Sequence, residues 1–92
     1  MRRASKVDAN QTAVVSALEA AGASVQSLAP IGKGCPDILV ARGGQMYLLE
    51  IKNPKGRDEV NEAQQKWHIA WNAAVYVVRG PEEALRAIGA IA

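Results

Sequence analysis

The chain has 92 residues, 49% of them hydrophobic but only 4% aromatic and none Phe, so one compact domain with a thin core is expected. Its net charge of +2 is too weak to indicate a nucleic-acid partner, and no apolar run approaches the ~20 residues of a membrane span. The single cysteine, Cys35, excludes an intrachain disulfide framework and a zinc site built on paired thiolates.

Arg2, Arg3 and Lys6 resemble the start of a secretion signal, but Asp8, Asn10 and Gln11 follow where an apolar stretch belongs. A cytoplasmic protein without membrane contact is expected, with a short basic arm over 1–6. From Asp8 to Ala21 the residues Val14, Val15, Leu18 and Ala21 have helical spacing. Asp8 can cap that helix and Gly22 can end it. A weak alternation over 24–29 reads as an edge strand, followed by a loop over 30–34. Two apolar runs, 38–41 and 46–51, flank Arg42-Gly43-Gly44-Gln45, a strong hairpin signal. Asp58 can cap a second helix running to about Asn72, with Val60, Ala63, Trp67, Ala70 and Trp71 as its apolar stripe. The run over 74–78 suggests a buried strand. Gly80-Pro81-Glu82-Glu83 opens a last helix. The order α-β-β-β-α-β-α predicts a small α/β domain with helices covering a mixed sheet of about four strands.

The hairpin register carries the chemistry. If Gly43 and Gly44 form the loop, Asp37 lies directly across from Glu50, where like charges are destabilising without compensation. Lys52 projects from the same face. Two carboxylates forced together call for a divalent cation or a shared proton. Mg²⁺ fits, because it takes few carboxylates and keeps several waters. Lys52 would then face charge developing at a phosphorus. The plain alternative is a surface Glu50–Lys52 pair with Asp37 merely opening a strand.

Gly34-Cys35-Pro36-Asp37, Leu49-Glu50-Ile51-Lys52, and Gln64 with Trp67 together resemble the PD-(D/E)XK nuclease superfamily. The closest resemblance is to its virus-type replication–repair nuclease domain in stand-alone form, roughly over 6–88. The resemblance implies a minimal restriction-endonuclease-like core and a Mg²⁺- or Mn²⁺-dependent endonuclease acting on DNA. It implies Asp37, Glu50 and the Ile51 carbonyl as metal ligands, Lys52 as the catalytic lysine, and Gln64 as a residue orienting the site or touching the phosphate backbone. Branched DNA such as a four-way junction is the implied substrate, worked on by a homodimer.

The sequence departs from the family pattern in its first helix, where an acidic residue often aims at the metal. The matching position is Gln11, which can reach the metal only through a water; Glu19 is another acid on this helix. His68, four residues after Gln64, could handle a proton or be purely structural. Lys33 in Gly32-Lys33-Gly34, and Lys55 and Arg57 after the second hairpin strand, are DNA-backbone candidates or ordinary solvated loop residues. Cys35 reads as a buried thiol beside the site. The Trp67/Trp71 face and the final helix (Leu85, Ile88, Ile91) are candidate dimer contacts. Two other functions stay open: a DNA-binding module without cleavage, and a nuclease subunit that needs a helicase partner.

Overall fold

The computed structural model describes residues 9–53 and 60–92. Its elements are α1 (Ala9–Ala20), β1 (Ser24–Ser27), β2 (Ile38–Arg42), β3 (Gln45–Ile51), α2 (Glu62–Ala70), β4 (Val75–Val78) and α3 (Pro81–Ala87), the predicted order. Gly22 ends α1 with φ +89°, the left-handed conformation that a glycine adopts without steric cost. Asp8, its expected cap, and the basic arm lie outside the described residues, as do Lys55, Arg57 and Asp58. Among the described residues no helix is long and apolar enough to cross a membrane.

The sheet order is β1-β2-β3-β4, antiparallel except for the parallel β3–β4 pair that α2 connects. The hairpin register is the expected one: Arg42 pairs with Gln45 and Ile38 with Leu49. Strand alternation then separates two faces. On one face Ile38, Val40, Leu49 and Val78 are buried against Val14 and Leu18 of α1 and against Ala84 and Ile88, all in one core. The other face carries Leu39 and Leu48 and, by the same parity, Asp37, Glu50 and Lys52.

The structure corrects several expectations. The second helix is shorter than 58–72, because Asn61 is its N-cap in a reciprocal box with Gln64. None of its residues is fully buried, and Trp71 is 46% exposed. Of the expected apolar stripe, Trp67 and Trp71 border a groove. That groove is a cavity of about 590 Å³ lined by Leu39, Leu48, Trp67 and Trp71 among others. β4 is an edge strand rather than a buried one; Val78 is buried but Tyr76 and Val77 are exposed. Ile88 belongs to the core, so the last helix cannot offer it to a partner.

Candidate metal and phosphodiester site

The site forms where β2 begins and β3 ends. Asp37 directly precedes β2, and its backbone N–H donates to the Leu49 carbonyl at 3.1 Å. Its side chain continues the ladder, with Oδ2 accepting the Ile51 N–H at 2.7 Å. This bond fixes the carboxylate toward β3 and Glu50. The loop that delivers it is pressed against α2 at Gly34. A Cβ there would overlap the Ala63 carbonyl, and the φ of +87° is itself one that favours glycine.

Glu50 is the only buried polar or charged residue among the described residues, its side chain 2% exposed. Burial pushes its carboxyl up to about 8; the neighbouring Asp37 carboxylate adds to this, and Lys52 opposes it. The sequence expectation of two crowded carboxylates therefore has its physical counterpart. Burial also raises the Cys35 thiol, with Glu50 and Asp37 contributing, and that half-buried side chain borders both the site and the groove.

Gln64 organises the rest. Its amide nitrogen donates to Glu50 Oε2 at 2.8 Å, and its amide oxygen accepts from Lys52 Nζ at 2.9 Å. The same oxygen accepts the Asn61 N–H of the helix cap at 2.9 Å. Both ends of the amide are thus engaged within the chain, which supports an orienting role over a phosphate contact. Lys52 Nζ lies 3.8 Å from Glu50 Oε2 and its side chain is 11% exposed.

Asn10 ties this end of the sheet to the first helix. Asn10 donates its side-chain amide to the carbonyls of Lys52 at 2.9 Å and Arg79 at 3.2 Å, clamping α1 to the ends of β3 and β4. The sequence reading passed over Asn10. Its position, four before Val14 and eight before Leu18, was the available signal, since all three then share one helix face. Gln11 is half-buried beside it. Glu19 is exposed nine residues farther along α1, roughly 13 Å down the axis, so the structure does not bring it to the site. Lys33 is exposed in the loop before Gly34.

His68 completes the neighbourhood. Its Nε2 stands 3.8 Å from Glu50 Oε1, and neither buried atom has a hydrogen-bond partner among the described residues. Burial, with Lys52 nearby, lowers the imidazole below its ordinary range.

A divalent cation fits the unpartnered Glu50 oxygen, which it would satisfy while relieving the repulsion from Asp37. Among the described residues no three His, Cys, Asp or Glu side chains, as they stand, are arranged to hold an ion. Asp37 and Glu50 would therefore hold it with water completing the coordination, the habit of Mg²⁺. No protein-family model, curated protein or solved structure matches the chain.

Proposed function

We propose that the chain is a metal-dependent endonuclease of the PD-(D/E)XK type that hydrolyses DNA phosphodiester bonds. The observation that carries this reading is the buried Glu50 beside Asp37, with Lys52 aligned on the same carboxylate through Gln64. Bound Mg²⁺ or Mn²⁺ would supply a Lewis acid and a water of lowered pKa. Asp37 and Glu50 would hold that ion, and the Ile51 carbonyl is the further ligand the motif implies. Lys52, kept nearly out of solvent, would place a positive charge where negative charge develops at phosphorus. Gln64 keeps Lys52 and Glu50 in register. Gln11, if it contributes, would act through a water. Lys33, Lys55 and Arg57 are the proposed contacts to the DNA backbone.

A branched substrate and a homodimer belong to the same proposal. A chain this short has little surface for gripping a junction, and two-fold pairing would present two sites to two strands. The Trp67–Trp71 groove and Ile91, which is 40% exposed near the last helix, are the candidate contacts for such pairing.

The test is cleavage of a four-way junction and a linear duplex in Mg²⁺, with Asp37→Ala and Glu50→Ala beside the wild type. Loss of cleavage in both variants, with circular dichroism unchanged, is expected. Near-wild-type turnover by either variant removes the assignment. The incomplete ligand set favours a second reading, a DNA-binding module without cleavage. DNA binding that survives EDTA, with no cleavage in Mg²⁺, would establish that reading instead.

A further inference from the structure

We propose that His68 is a further ligand of the ion held at Glu50, so that the site prefers an imidazole-binding transition ion such as Zn²⁺ or Mn²⁺ over Mg²⁺. This rests on the reading of Asp37 and Glu50 as a cation site. Glu50 Oε1 and His68 Nε2 lie 3.8 Å apart. Each is buried and neither has a hydrogen-bond partner among the described residues.

Such orphaned polar atoms cost free energy unless something outside the chain satisfies them. The gap is too wide for a hydrogen bond between them. Two ligands of one tetrahedral ion, each at ~2.0–2.2 Å, stand roughly 3.3–3.6 Å apart. A small side-chain adjustment would thus bring both atoms onto one ion. His68 lies on α2 one turn beyond Gln64, so the helix that aligns Lys52 also carries the nitrogen ligand. Hard Mg²⁺ gains little from imidazole, whereas Mn²⁺ and especially Zn²⁺ accept it readily. The ligand missing from the first helix would then be supplied by the second.

His68 is the only histidine in the chain, so ¹⁵N NMR of histidine-labelled protein reports on it alone. One equivalent of Zn²⁺ should shift a ring ¹⁵N resonance in the wild type and fail to do so in Glu50→Gln. By calorimetry, His68→Gln should weaken Zn²⁺ binding by at least ~10-fold, the scale on which even outer-sphere partners act, and weaken Mg²⁺ binding far less. If Zn²⁺ binds with the ring signals unmoved and His68→Gln binds it equally well, His68 is no ligand and the carboxylate site stands without it. A ring shift that persists in Glu50→Gln would place the zinc elsewhere and overturn the proposal. Failure of both ions to bind the wild type would remove the cation site itself, and this inference with it.

Discussion

Gln64 donates to Glu50 Oε2 at 2.8 Å from the third residue of α2, so one side chain both caps a helix and aligns a buried carboxylate. Gln64→Ala removes the capping-box acceptor together with the Glu50 and Lys52 links. A loss of about 1–3 kcal/mol is expected by denaturant unfolding. Gln64→Glu keeps an acceptor for Asn61 and Lys52 but replaces the amide donor to Glu50 with a second carboxyl group. It should retain much of the helix stability while impairing cleavage. Equal activity in Gln64→Ala and the wild type would show that the alignment is dispensable.

The stability of the metal-free protein should fall as pH rises. Glu50 has an ordinary value of 4.5 and is pushed up to about 8 in the folded chain. Below 4.5 the carboxyl is protonated in both states and the stability is fully present. Between 4.5 and about 8 the unfolded chain ionises while the folded one keeps its proton, so stability declines. Above that range the loss is complete, on the order of a few kcal/mol. Thermal melts in EDTA should track this decline, and Glu50→Gln should flatten it. Added divalent cation should restore more stability at pH 8.5 than at pH 5. A wild-type profile that is flat across the window would contradict a Glu50 carboxyl held protonated by its burial.

Lys52→Gln keeps a polar side chain beside Gln64 and deletes the charge. Single-turnover cleavage at saturating DNA should slow by ~10²-fold or more, with DNA affinity nearly unchanged, because the charge acts mainly in the transition state. A weaker affinity with an unaltered saturated rate would make Lys52 a phosphate contact instead.

Gly34→Ala should be disproportionately harmful for a loop change. The added methyl meets the Ala63 backbone and the φ of +87° is unfavourable for alanine. A shift of α2 would carry Gln64 and His68 away from Glu50. The expected result is a lower melting temperature together with weaker metal binding, whereas Gly44→Ala, with nothing within 4 Å of its added Cβ, should affect melting alone. Equal metal affinity in both variants would show that the Gly34 contact does not position the site.

The sequence by itself determined the element order and the hairpin register. Both follow from local rules: apolar periodicity, and the positive φ that Gly43 and Gly44 supply to a two-residue turn. That register placed Asp37 opposite Glu50 and put Lys52 on their face, so the centre of the site was legible before any packing was known. Tertiary structure decided the rest. Whether Glu50 is buried depends on how α2 and the Gly34 loop close over one end of the sheet, and neither is written in the alternation of β3. Asn10 and Lys52 are 42 residues apart and meet only because α1 crosses the sheet at that end. The tryptophans show the limit of periodicity: Trp67 and Trp71 have core spacing, yet Trp67 is half-buried, Trp71 is 46% exposed, and the two stack beside a groove. Helical spacing names the face that is apolar, but it does not show that Gln64 and His68 reach Glu50, a residue of β3.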